Sequence, residues 1–316
     1  MNKKLKILFV YSGNYKSKIN PIIKNQGDSL SRKGIIVEYF PIIGKGMMSY
    51  LKSILPLKRM ILANDLDIVH AHYALSGFTS GLASSRPVVT SIMGSEIYEI
   101  KLVYFLIRLF SRFIWNETIV KSAKIKEDGN LQTASIIPNG VNLEKYAPIN
   151  FELARQKLDF KPDIKYILFS SDPSRPEKDF QLAKKCVQQL NNIYRGKIEL
   201  RVLKNIDNND IPYYMNAADI LLLTSKWEGS PNVIKEAMAC NLPIVSTNVG
   251  DVKEIISNAS NCFVCESDEN KMAEKLKQIL ISENNRSNGR EYIQNYSDTI
   301  IADKIIQLYK NLLKLK

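Results

Sequence analysis

The sequence predicts an α/β protein of two Rossmann-like, parallel-sheet domains in series, and three observations predict it. Short apolar runs alternate with amphipathic stretches along the chain, as they do where strands are joined by crossover helices. That pattern breaks once, near 140–150, and then restarts. The length of 316 residues suits two domains of roughly 150 residues each.

In the first half, strands are expected at 6–11, 35–41, 67–71 and 87–91, with helices at 21–33 and 49–63. The opening apolar run stops at Ser12-Gly13-Asn14, too soon for a signal peptide, so it reads as a first buried strand. Ile136-Ile-Pro-Asn-Gly-Val141 is a strand ending in a turn, and Pro148 follows it, which places domains at 1–145 and 146–299. The second series expects strands at 166–171, 198–203, 219–224 and 243–247. Helices fall at 181–192, 211–216, 233–239, 252–256 and 270–281, with a last one at 300–316. Two such domains leave a cleft at the carboxyl ends of their strands, where ligands of open α/β sheets bind.

With 45% hydrophobic and 24% charged residues, the composition is that of a globular protein. No stretch approaches the roughly 18 apolar residues of a membrane span, which points to the cytoplasm. The four cysteines do not form a disulfide pattern, and Cys262-Phe-Val-Cys265 lacks the second pair or histidine that a zinc site requires. The net charge of +12 is uneven: residues 1–150 carry 20 Lys and Arg against 10 Asp and Glu, and the rest carry 24 against 22. A basic first half points to an anionic partner, nucleic acid or an anionic membrane surface. No recognisable nucleic-acid module is present. The segment Lys101-Leu-Val-Tyr-Phe-Leu-Ile-Arg-Leu-Phe-Ser-Arg-Phe-Ile-Trp115 has two open readings, a core helix with a basic stripe or a helix lying in a membrane interface.

Polar and glycine-bearing segments cluster at the predicted strand ends: Ser12-Gly13-Asn14, His70-Ala-His72, Met93-Gly94-Ser95-Glu96, 170–178 and 224–232. In the last of these a buried strand empties into Glu228-Gly229-Ser230-Pro231, and a helix begins near Asn232. Amides at a helix start bind phosphate oxygens, a glycine permits close approach, and a carboxylate accepts from two vicinal hydroxyls. Glu236, about one turn into the helix, can reach the same ligand. On spacing alone, Glu228 as a helix-entry acid and Glu236 as a solvated residue stand equally well. No G-x-G-x-x-G follows the first strand, which excludes a nicotinamide-dependent oxidoreductase. No base is evident for an epimerase.

The whole segment resembles the donor-binding motif of retaining GT-B glycosyltransferases, family 4 in particular: Glu-Gly-Phe-Pro, three or four apolar residues, Glu-Ala-Met-Ala, Cys or Ser, Gly, and Pro-Val-Val. Glu228, Gly229, Pro231, Glu236, Ala237, Met238, Ala239 and Pro243 keep their places, while Ser230 replaces the aromatic and Asn241 the glycine. Asp67-Ile-Val-His-Ala-His72, Ile137-Pro-Asn-Gly-Val-Asn142 and Arg175-Pro-Glu-Lys178 are similar to the same family. Val249-Gly250 with Glu254 resembles its second glycine-rich turn, with Asp251 in place of a glycine.

The resemblance implies a GT-B fold whose C-terminal helix rejoins the first, acceptor-binding domain, while the second domain binds the donor. Glu236 would hold the donor ribose and Glu228 the hydroxyls of the transferred sugar. Arg175 and Lys178, three residues apart where the family often has five, would neutralise the diphosphate. Ser230, Pro231, Asn232 and Val233 would line the donor, and Gly13 would admit its phosphates. His72 would contact substrate, with packing as its other reading, and a His-x-His metal site lacks a third ligand. Met93 stands where the family often has a histidine, and Glu96 is the acceptor contact or a plain helix-start acid.

The implied activity is retaining transfer of a hexosyl or N-acetylhexosaminyl group from a UDP- or GDP-linked sugar to a glycan or lipid-linked acceptor. It needs no metal or cofactor, and the leaving phosphate helps to deprotonate the acceptor. The setting would be bacterial surface polysaccharide assembly, on the inner face of the cytoplasmic membrane. The alternative is a non-catalytic nucleotide-sugar-binding or scaffold subunit.

Overall fold

The computed structural model describes residues 4–14, 19–44 and 46–314. Residues up to Gly140 and from Asp298 onward form one unit, and Val141–Ser297 form the other. The boundary therefore falls at Gly140 and Ser297 rather than at 145 and 299, because the two passages of the chain run side by side there. A Cβ on Gly140 would lie 2.5 Å from Asp298 Cα, and the next residue, Val141, bridges Ser297 and donates its N–H to Tyr296 O at 2.9 Å.

The first unit holds six parallel strands: β1 (Lys6–Ser12), β2 (Ile36–Ile42), β3 (Ile68–His72), β4 (Val88–Ile92), β5 (Glu117–Val120) and β6 (Ser135–Ile136), in the order β2-β1-β3-β4-β5-β6. The second holds β7 (Ile164–Phe169), β8 (Lys197–Val202), β9 (Ile220–Leu223), β10 (Ile244–Thr247) and β11 (Cys262–Cys265), in the order β11-β10-β9-β7-β8, also parallel. Sheets covered on both faces require apolar runs rather than alternation. Accordingly, Ile7–Val10 in β1 and all of β9 are buried.

One face of the first sheet is covered by the helices Pro21–Arg32 and Asp298–Leu312, packed on Ile7, Phe9 and Tyr11. The closing helix is pinned there by Arg32 to Asp298 at 2.6 Å and Lys33 to Asp303 at 3.0 Å. The other face carries Ile54–Ala63, Ala74–Ala83 and Lys101–Phe113. The single helix expected at 49–63 is instead two, Met47–Lys52 and Ile54–Ala63. Pro56 has no N–H to offer the Lys52 carbonyl, and the Ser53 hydroxyl bonds back to Ser49 O at 2.8 Å. No helix among the described residues is long and apolar enough to cross a membrane.

Candidate active site

In each sheet the chain reverses its direction of winding at one pair of strands, and the carboxyl ends beside that reversal are where an open α/β sheet binds its ligand. In the second unit the reversal lies between β7 and β9. The loop after β7 carries Arg175 and Lys178, the loop after β9 carries Glu228, and the neighbouring β10 leads to Gly250.

Lys178 ends the short 3-10 turn Pro176–Lys178. Its ammonium pairs with Glu228 Oε1, which also accepts from the Ser225 hydroxyl at 2.7 Å. Both side chains of the pair are largely buried, 13% and 15% exposed. The other oxygen, Oε2, has no hydrogen-bond partner among the described residues. Thr224 ties the two loops together, its hydroxyl donating to Lys178 O at 2.9 Å and Asp179 O at 3.0 Å. Arg175 is not drawn into this pair: it is 55% exposed and bonds Glu177 at 2.5 Å.

Pro231 precedes the helix Asn232–Ala239 and offers no capping side chain, so the amides at Asn232 and Val233 are left orphaned at the helix start. Asn232 Oδ1 is buried with no partner among the described residues. Ser230 is turned inward, its hydroxyl engaged with Lys235 and Asp251. Within Glu236-Ala-Met-Ala, Ala237, Met238 and Ala239 are wholly buried, while Glu236 points the other way. Burial raises the pKa of the Glu236 carboxyl, opposed by a hydrogen bond from Tyr146 and the charges of Lys145 and Lys235. Asn241, standing where the resemblance expects glycine, has φ +54. It sits just past the helix end, in the left-handed region that asparagine tolerates best after glycine.

The strand that leads to the Glu228 loop, β9, is anchored at its other end. Asp219 is nearly buried and takes Arg155 at 2.6 Å, the Tyr166 amide at 2.7 Å and Lys165 at 3.2 Å.

In the first unit the reversal lies between β1 and β3. Gly13 follows β1, and its missing side chain is explained by packing: a Cβ would sit 2.7 Å from Pro41 Cβ. His72 ends β3, 1% exposed and stacked on His70 at 4.7 Å, the rings 14° from parallel. Burial, then the charge of Lys121, lowers the His72 pKa to about 3, so the ring is neutral. His70 is held on both nitrogens, by Tyr309 at 2.5 Å and Ser91 at 2.9 Å. After β4, Glu96 accepts from the amides of Gly94 at 2.8 Å, Met93 at 3.2 Å and Ala74 at 3.3 Å. Its carboxylate thus organises two loops and caps the helix Ala74–Ala83, with Met93 half-buried beside it.

Sequence reasoning missed Ser225, Tyr146 and Lys235. Ser225 had a local signal, a hydroxyl at a strand end. The other two act through partners or burial that spacing does not encode.

The profile of "Glycosyl transferases group 1" matches residues 181–296, and that of "Glycosyl transferase 4-like" matches 16–119. The chain belongs to these glycosyltransferases. Among relatives, it is 26% identical over 257 residues to the UDP-Gal:alpha-D-GlcNAc-diphosphoundecaprenol alpha-1,3-galactosyltransferase of Escherichia coli, covering 68% of this chain and 66% of that one. It is 22% identical to the capsular polysaccharide biosynthesis glycosyltransferase CapM of Staphylococcus aureus, over 94% of this chain and 96% of the relative. Sucrose-phosphate synthase of Thermosynechococcus elongatus superposes with a TM-score of 0.81 at 15% identity, covering 98% of this chain and 100% of that structure. HepE of Anabaena, solved with UDP and glucose, gives 0.75 at 14% identity, covering 97% and 100%. The fold of this glycosyltransferase is GT-B.

Proposed function

We propose that this glycosyltransferase transfers a hexosyl or N-acetylhexosaminyl group, with retention, from a UDP- or GDP-linked sugar to a glycan or lipid-linked acceptor in surface polysaccharide assembly. The observation that carries this reading is the Lys178–Glu228 pair beside an uncapped helix start at the winding reversal of the second sheet. An ammonium and orphan amides suit a diphosphate, whose charge grows as the sugar leaves. Glu228 Oε2 suits the sugar hydroxyls and Glu236 the ribose. Ser230 then supports the donor through the loop rather than by its hydroxyl. Arg175 is the outer cation of the phosphate site. The acceptor contacts are Met93 and Glu96 of the first unit, His72 is its substrate contact, and Gly13 is kept as a donor contact. A neutral His72 serves as a contact rather than as a charge. The UDP-linked donor and diphosphoundecaprenol acceptor in the E. coli relative's name, and UDP in the HepE structure, support the choice of substrates. No metal or cofactor enters this scheme, and the work is done on the inner face of an anionic membrane.

The experiment is donor turnover with UDP- and GDP-sugars, with anomeric product analysis. Glu228→Ala and Lys178→Ala are each expected to lower kcat by ~10²-fold, as loss of one charge-stabilising group does. Arg175→Ala is expected to cost less than Lys178→Ala. A wild-type chain that binds these sugars yet turns none over, with or without acceptor, would instead be the scaffold subunit.

A further inference from the structure

Behind the Glu228 loop lie three buried polar side chains that make no contact in the proposed donor site. Lys235 is 0%, Ser230 7% and Asp251 8% exposed. Lys235 Nζ donates to Ser230 Oγ at 2.6 Å, and the Ser230 hydroxyl donates to Asp251 Oδ2 at 2.5 Å. The relay therefore joins three segments: the helix Asn232–Ala239, the loop after β9 and the turn after β10. Asp251 Oδ1 has no partner among the described residues, so the charge of Lys235, the Ser230 hydroxyl and the Asp251 backbone amide are what compensate this carboxylate.

The same two loops also touch through backbone. Gly250 has φ +57, and a Cβ there would lie 2.7 Å from Gly229 O and 3.2 Å from Glu228 O. Only glycine allows the turn to rest on the loop in this way.

Burying a charged pair is a poor means of gaining stability, since desolvation offsets most of the attraction. Directional bonds nevertheless fix a geometry that apolar packing leaves looser. Ser230 and Asp251 are also two of the positions where this chain departs from the motif it otherwise follows, and Lys235 is the one charge in the stretch between Pro231 and Glu236. The structure brings these three residues into one hydrogen-bonded relay.

We propose that Lys235, Ser230 and Asp251 form a positioning network that fixes the Glu228 loop against the Gly250 turn and thereby sets how the donor sugar is held. This rests on the donor site proposed above. None of the three touches the reacting atoms, so their loss falls on donor affinity rather than on the chemical step.

The test compares Lys235→Met, Asp251→Asn and the double variant with the wild type. It reads donor KM and kcat with UDP-sugars, together with amide exchange of 228–233 in the ligand-free protein. Each single variant is expected to raise KM ~10-fold with kcat within ~3-fold, and the double to cost no more than the worse single, because partners in one network are non-additive. Exchange at 228–233 should rise in every variant. If a single variant does not fold, the double, which removes both charges together, carries the comparison: raised KM with faster exchange supports the network, and wild-type values overturn it. An unchanged KM with only a lower melting temperature, a fall in kcat alone, or additive effects also overturns it. Because exchange is read without donor, a wild type that binds no sugar nucleotide refutes the proposed function and still leaves the network to be judged.

Discussion

The two units share one architecture but fill their winding reversals with opposite chemistry. In the second, charge is kept and paired: Lys178 with Glu228, Lys235 with Asp251 through Ser230, and Arg155 with Asp219. In the first, the reversal is built from neutral rings, His70 and His72 stacked together and packed edge-on against Phe9. A parallel sheet thus imposes the place of a site but not its polarity. Ionic pairs sit where an anionic donor is proposed, while in the first unit two neutral rings stand beside one buried cation, Lys121. The first unit instead carries its unpaired charge on its surface. Arg108 and Arg112 have no acidic partner among the described residues, and they share the helix Lys101–Phe113 with Phe105 and Phe113, 60% and 70% exposed.

The contrast is broken most severely through Arg155. Its guanidinium is 5% exposed, bonds Asp219 at 2.6 Å and donates to Ala217 O at 3.0 Å. Arg155→Ala leaves Asp219 buried, with Lys165 paired to it and the charge of Arg286 near it. The expected loss is ~3–5 kcal/mol of stability, confined to the second unit. Denaturant unfolding followed by amide exchange in β7 and β9 checks this, and equal loss in both units would show that the pair is not local.

A smaller effect concerns the surface of the first unit. Of its two sequence readings, the helix Lys101–Phe113 meets the core one on a single face: Val103, Ile107 and Phe110 enter the core, while Leu102, Phe105, Leu109 and Phe113 remain outside. A groove of about 530 Å³ beside it is lined by Arg108, Arg112 and Phe105. With the membrane partner proposed above, Phe105→Ser with Phe113→Ser is expected to weaken binding to anionic vesicles by at least ~10-fold, since each phenyl is worth about 1.5–3 kcal/mol when buried. Arg108→Ala should weaken it less, and only at low salt. Flotation on anionic and neutral vesicles reads this, and a wild type that stays unbound to anionic vesicles at low salt removes the membrane from the account.

Much of this was legible in the sequence because it is local. Strand after strand falls within a residue or two of its expected place. Asn241 looked like a departure from glycine. Its φ of +54 and its acceptance of the Arg290 amide at 2.8 Å show how asparagine meets the same backbone demand. What could not be read is held by partners far apart in the chain. Tyr146 reaches Glu236, and Tyr309 reaches His70, because the sheet brings them together. Lys235, next to Glu236 on an eight-residue helix, would pass for a surface lysine; only its burial beside Ser230 and Asp251 reveals it.

The smallest expected effect tests the neutral histidine wall. The ordinary histidine value is 6.5, and His72 in the fold is pulled down to about 3. Between these values the unfolded chain binds a proton that the folded one refuses, so the contribution of His72 is intact above pH 6.5 and is lost as pH falls toward 3. The slope is roughly 1 kcal/mol per pH unit for one proton, and His70, lowered in the same direction by burial, adds to it. Glu96 in the same unit, and Glu236 and Asp251 in the other, are raised by burial and act with opposite sign. Removing one histidine therefore isolates the term better than comparing whole units. Stability of the first unit, read from exchange in β3 and β4 between pH 6.5 and 4.5, should fall less steeply in His72→Gln than in the wild type. Parallel slopes would mean that the ring accepts its proton within the fold, and the wall would then be charged at the pH where the second unit's carboxylates are losing theirs.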